Sequence, residues 1–382
     1  MANEKKTVRE PSFILALVPI VAMIGFMLYC FRGHSETGYH DAHLPLVMSI
    51  IVACIVGFIC GHSFQEMLAG MVERLAASME AVLILATVGF LVTSFMLSGA
   101  IPTMIVYGLD LLTPQLFLPV GCILCAIVGM ACGSSWTTTA TIGLAFLGIG
   151  AGLGIPAPIT AGMIISGAYV GDKFSPLSDT TNLAAAVAET GLFDHVTAMV
   201  STTGPTLLLS LILYTILGLN VDTSAYDATV AEGIQEAFRS AFTISPILLL
   251  PIIVVIVMCI LRVPGLVGIA VSVATAVVFM LIFQSTDIYY SRSLGDIFDV
   301  LHYGHAVETG NAVADSILGK AKGMDGMMWT INLILVALAY GGALERCGCI
   351  EKLFGGLKHK IHSVGSLILA TLLTSIFCDA TM

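Results

Sequence analysis

From Leu111 to Gly171 the chain carries no Asp, Glu, Lys or Arg. A helical bilayer crossing needs only about 20 apolar residues, so this stretch alone is long enough for two or three passes. Further uncharged runs cover Pro11 to Phe31, Ala42 to Gln65, Ala81 to Leu109, Val196 to Val221, Ser240 to Leu261, Val263 to Thr286, Gly326 to Leu344 and Ser363 to Cys378. Each suits one helix, or one helix with a flank.

Composition closes off the alternatives. Charged residues make up 10% of the chain, against about 25% in ordinary globular proteins, and the mean hydropathy is +0.99. Such a chain cannot cover itself with hydrated surface, which excludes a cytosolic enzyme, a secreted disulfide scaffold and a disordered region. The 25 acidic residues outnumber the 15 basic ones, which excludes a nucleic-acid binder. Only helices and closed barrels satisfy their backbone groups in hydrocarbon, and the runs lack the period-two alternation of barrel strands. The expected fold is an all-α polytopic membrane bundle of about nine to eleven spans lying in the lipid bilayer.

The basic residues Lys5, Lys6 and Arg9 precede the first run. They resemble the start of a signal peptide, but the run is long and has no convincing small-residue cleavage site, so it reads as a retained helix. Basic residues favour the cytoplasmic side, which puts the N-terminus on the cytoplasmic face of the cell (inner) membrane. Lys352, Lys358 and Lys360, with Arg346, mark the loop before the last helix as cytoplasmic too. The expected organisation is a cytoplasmic tail over 1–12, a first transmembrane half over 13–220 holding the candidate site, an extramembrane connector over 221–242, and a second half over 243–382.

Cys122, Cys125 and Cys132 lie in an apolar run without a nearby His, where cysteine packs as a small hydrophobe. Cys347 and Cys349 followed by His359 and His362 fit no common zinc spacing. No cofactor is called for. His43, His62, His195, His302 and His305 flank spans; their near-neutral titration could sense pH, but solvated imidazoles are the simpler account.

Two polar clusters interrupt the apolar pattern. The first, Gly133 to Thr141, contains Ser134, Ser135 and Thr138 between apolar flanks that are each short for a full crossing. Two accounts fit it. The hydroxyls can bond back to their own helix or tighten helix packing, or a helix broken at mid-membrane can present them as oxygen ligands.

The second cluster, Gly171 to Asn182, contains Asp172, Lys173, Ser175, Ser178, Asp179, Thr180, Thr181 and Asn182. A solvated turn would use similar residues. A cation site would too, because hard cations bind oxygen. Desolvation raises the pKa of a carboxylate and a bound cation lowers it, so proton and cation compete for one group. If the carrier changes its facing only when that group is occupied, competition becomes exchange. Lys173 can offset one carboxylate in the empty site. Asp172 and Asp179 would share a face of a continuous helix, but Pro176 favours a broken one.

The string GSSWTTTATIGLAFLGIGAGLGIPAPITAGMIISGAYVGDKFSPLSDTTNLAAAVAETGLFDHV, Gly133 to Val196, resembles the NhaC family of sodium/proton antiporters within the ion-transporter superfamily, and the likeness continues through Gly304 to Glu345. The resemblance implies two inverted repeats, a scaffold part that can form a homodimer, and a moving part with broken, re-entrant helices. It assigns ion binding to Asp172, Asp179, Thr180, Thr181, Asn182, Ser134, Ser135 and Thr138, with sodium and protons as the transported ions. Asp172 and Asp179 are the expected sodium-contacting carboxylates, and Asp179 is favoured for proton exchange. Family members run on beyond the position of Met382, so the second repeat is expected to be cut short, with Asp379 opening its own interrupted helix.

The leading functional expectation is sodium/proton antiport. Sodium- and proton-coupled exchange of small carboxylates such as malate and lactate is the runner-up, disfavoured because Lys173 is the one basic residue in the candidate core. An intramembrane aspartyl hydrolase would resemble Gly-x-Gly-Asp, but Tyr169 stands where the first glycine belongs. A passive channel would show flux without obligatory exchange.

Overall fold

The computed structural model describes residues 8–31, 41–132, 134–175, 178, 180–181, 184–185, 190–220, 228–261, 263–285, 293–358 and 364–381. The regular elements among them are all helical: α1 (Phe13–Phe31), α2 (His43–Ile59), α3 (Phe64–Ala77), α4 (Met79–Leu97), α5 (Ala100–Leu111), α6 (Pro114–Cys132), α7 (Ser135–Thr138), α8 (Leu144–Gly152), α9 (Ala157–Phe174), α10 (Leu192–Leu219), α11 (Ala228–Ala241), α12 (Leu250–Ile260), α13 (Gly265–Phe283), α14 (Leu294–Tyr303), α15 (Ala312–Leu318), α16 (Asp325–Arg346), α17 (Cys349–Lys358) and α18 (Val364–Thr381). A π-helical segment, Thr139–Gly143, joins α7 to α8.

Among the described residues, four helices are long and apolar enough to cross a bilayer, or up to six crossings if each of two bent pairs is one span. Three shorter apolar helices, His43–Ile59, Ala100–Leu111 and Pro114–Met130, stand beside them, as expected of a polytopic membrane bundle. Ala81 to Leu109 breaks at Gly99, whose φ of 82° is left-handed, a region open to glycine at little cost. Leu111 to Gly171 is divided among α6, the α7–α8 helix and α9. Thr229–Ala241 and Pro246–Met258 meet at 90°.

The chain forms two compact units, Met1–Leu83 with Met328–Met382, and Ile84–Met327. In the first, Ala16, Met23, Leu46, Ala53, Val56, Met67, Tyr340 and Ala343 share one apolar core. Ser63 starts α3 with a capping box: its hydroxyl accepts from the Glu66 N–H while its own N–H donates to the Glu66 carboxylate. His43, expected to be solvated, is only 14% exposed in its side chain and is paired with Asp41. The Trp329 indole N–H donates to the other Asp41 oxygen at 3.2 Å.

In the second unit a buried polar knot ties three chain breaks together. Gln284, 2% exposed, follows the last residue of α13. Its amide nitrogen donates to the Ser98 carbonyl at 2.9 Å, and its oxygen accepts from the Thr243 N–H at 3.0 Å. Each helix end leaves backbone groups without helical partners, and this side chain supplies some of them. Gln284→Leu fills the space but strands those groups. The expected loss is about 1–3 kcal/mol for each group left unpaired, read as a lowered thermal midpoint of the purified protein.

Asp315 closes the loop before α15, accepting from the Thr309 N–H and hydroxyl, each at 2.7 Å. These bonds hold its carboxyl below the usual range. A lowered folded-state pKa adds stability above the unfolded value and loses it as pH falls through the folded one. Asp315→Asn is therefore expected to remove an acid-side decline in loop protection, measured by hydrogen exchange of the Thr309 amide from neutral to acidic pH.

Candidate ion site

The site is built at a helix crossing of unusually close approach. A Cβ on Gly171 would lie 2.7 Å from the Met130 nitrogen and 2.9 Å from the Gly129 Cα. One on Gly167 would lie 2.7 Å from the Cys125 Cβ, and one on Gly129 would lie 2.7 Å from the Ala168 carbonyl oxygen. α6 and α9 thus touch backbone to backbone. Small residues four apart allow this inside a bilayer, where van der Waals contact takes the place of a hydrophobic driving force.

Asp172 follows Gly171 and is drawn inward with it, to 6% exposure. Helix α9 ends two residues later. Ser175, just before Pro176, has ψ 123°, as the clash of a proline ring with a preceding helical residue requires. The chain then folds back on the helix end. Ser175, Ser178 and Thr181 are fully buried. The Thr181 hydroxyl donates to the Asp172 and Lys173 carbonyls at 3.4 and 3.3 Å, and its N–H donates to the Ser178 hydroxyl at 3.3 Å.

The Ser/Thr segment approaches from the other side. Ser134 caps α7, its hydroxyl accepting from the Thr137 N–H at 3.2 Å. Thr138, Thr139 and Thr141 spend their hydroxyls on carbonyls four residues back. Ser135 does not. Its own position four back, Ala131, belongs to α6, and its hydroxyl instead donates across to Asp172 Oδ2 at 3.2 Å. The five-residue π-segment follows at once; such widened turns collect at functional sites.

Of the expected site residues, the structure therefore brings Ser135 to the Asp172 carboxylate and Thr181 to its backbone. Ser134 and Thr138 sit in the facing segment with their hydroxyls occupied locally. Thr180 is exposed, its hydroxyl 2.9 Å from that of Ser178. Lys173 is half-buried, and no ion pair joins it to Asp172 among the described residues. Asp179 and Asn182 lie outside the described residues. Asp379 falls in α18, with its side chain outside them.

No solved structure matches the chain. Residues 167–382 match the profile of the Na+/H+ antiporter family. The chain is 35% identical over 336 residues to the Na(+)/H(+) antiporter NhaC of Alkalihalophilus pseudofirmus, covering 88% of this chain and 71% of that protein. The chain belongs to the Na+/H+ antiporter family. This antiporter-family chain is also 34% identical over 375 residues to the arginine/ornithine antiporter ArcD of Halobacterium salinarum, covering 97% of it and 75% of the relative. It is 31% identical over 374 residues to the malate-2H(+)/Na(+)-lactate antiporter of Bacillus subtilis, covering 98% and 78%. Its relatives are transporters, and it is a multi-pass membrane protein.

The residues that sequence reasoning passed over in this antiporter are the glycines. Gly167 and Gly171 are spaced four apart in an apolar helix, a readable signal for close helix contact. Tyr214 of α10, whose hydroxyl lies 2.8 Å from that of Ser166, carries no such signal.

Proposed function

We propose that the chain exchanges sodium for protons across the cell membrane by alternating access, the two cations competing for the carboxylate of Asp172. The single observation that carries this reading is a buried acid held by a hydroxyl from a broken helix: Asp172, 6% exposed, with Ser135 on Oδ2. The bond occupies one carboxylate oxygen and leaves the other for a cation. An unpaired charge moving through a low-dielectric interior is costly. One sodium or one proton removes that cost, both together would overshoot, and the empty site resists reorientation. Obligatory exchange follows, with no covalent step. Asp179, Thr180, Thr181 and Asn182 complete the proposed site, Lys173 offsets one of its two carboxylates in the empty state and leaves the other charge unpaired, and the basic residues before α1 favour a cytoplasmic N-terminus.

The test uses sealed vesicles holding the protein and an imposed proton gradient. Added sodium is expected to collapse the gradient. Collapse by malate, lactate, arginine or ornithine but not by sodium alone would move the substrate to the organic class. Flux of one ion with no counter-ion would make the protein a channel.

A further inference from the structure

A second polar feature lies in the unit formed by Met1–Leu83 and Met328–Met382. The string Gly70-Met71-Val72-Glu73-Arg74 in α3 is matched by Gly342-Ala343-Leu344-Glu345-Arg346 at the end of α16. Both read glycine, two apolar residues, glutamate, arginine. The fold sets one across the other. A Cβ on Gly70 would lie 2.7 Å from the Arg346 Cβ, and one on Gly342 would lie 3.1 Å from the Arg74 Cβ and 2.6 Å from the Gly70 oxygen. Each glycine takes the stem of the other string's arginine, the reciprocity of a two-fold contact.

Beside the crossing is a cavity of about 500 Å³ lined by Glu73, Arg74, Glu345, Arg346 and His62. Among the described residues no ion pair joins any two of the four charged side chains. Among the described residues the His62 Nδ1 is buried without a hydrogen-bond partner, with Glu66 Oε2 at 3.8 Å. Two guanidiniums and two carboxylates thus face an open space.

We propose that this cavity binds a zwitterion of the phosphoethanolamine class, its phosphate held by Arg74 and Arg346 and its ammonium by Glu73 and Glu345. A simple anion would meet two carboxylates there and a simple cation two guanidiniums; a ligand carrying both signs satisfies all four. Guanidinium forks match phosphate oxygens in pairs. The ligand can be a membrane lipid or the free headgroup.

The experiment measures binding to the detergent-purified full chain by native mass spectrometry and by thermal shift, with phosphatidylethanolamine, phosphatidylglycerol of the same acyl chains, and soluble phosphoethanolamine. Phosphatidylethanolamine is expected to bind about tenfold or more tightly than phosphatidylglycerol and to raise the melting temperature. Arg74→Gln with Arg346→Gln, and separately Glu73→Gln with Glu345→Gln, are each expected to erase that preference. The mass measurement reads retained ligand even for a variant of lower stability. Binding of phosphoethanolamine alone supports the site with a soluble source. Equal binding of the two lipids, a preference surviving both double variants, or no binding of any of the three overturns the proposal.

Discussion

Asp172→Asn abolishes sodium-driven collapse of a proton gradient, down to the level of protein-free vesicles, while the protein still inserts and purifies as a single species. Asparagine keeps the shape of aspartate and can still accept from the Ser135 hydroxyl, which in the native chain lies 3.2 Å from Asp172 Oδ2. It cannot take up or release a proton, and it gives a cation no charge to neutralise. Both halves of the exchange therefore fail together. Ser135→Ala is the graded companion. Removing a hydrogen bond to a charged group costs about 1.5–3 kcal/mol. The apparent sodium affinity is expected to fall about tenfold or more, with exchange persisting at high sodium. Full activity in Asp172→Asn vesicles would move the exchanged charge to another carboxylate, with Asp179 first in line for the same substitution.

Gly171→Val has the second large effect, through packing rather than charge. The added Cβ meets the backbone of α6, 2.7 Å from the Met130 nitrogen and 2.9 Å from the Gly129 Cα. Backbone atoms cannot step aside like the tip of a flexible side chain. The helices must part, and strain of this kind costs about 1–3 kcal/mol or more. Gly171 also precedes Asp172, so parting the helices carries the carboxylate away from Ser135. The expected outcome is a lowered thermal midpoint together with lost exchange. A valine at the nearby Gly162, where among the described residues a Cβ would meet only the Tyr214 hydroxyl at 3.6 Å, should be tolerated.

Some of this was legible in the residues and some was not. The end of α9 could be read from Pro176, and the break before Ser135 from its run of small and hydroxylated residues. The breaks at Gly99 and at the turn around Thr243 could not be read from uncharged runs, because they interrupt a helix without adding charge. Nor did residue type separate Ser135 from Thr138. Both are hydroxyls in one polar string, and the difference lies in what sits four residues back. For Thr138 that is the carbonyl of Ser134 in its own helical turn, which takes its hydroxyl at 2.9 Å; for Ser135 it is a residue of the preceding helix. The Gly167–Gly171 pair and the repeated Gly-x-x-Glu-Arg strings were visible as spacing, but what they do depends on the helix that each one meets. Gln284 gave no signal at all, since its partners lie 41 and 186 positions away in the chain.

The most direct measurement of the competition at Asp172 is proton release on sodium binding by the purified protein in lightly buffered detergent. Adding sodium should acidify the solution, and the apparent sodium affinity should weaken as pH is lowered, with both responses absent in Asp172→Asn. Sodium binding that releases no protons and keeps one affinity across the pH range would contradict the account.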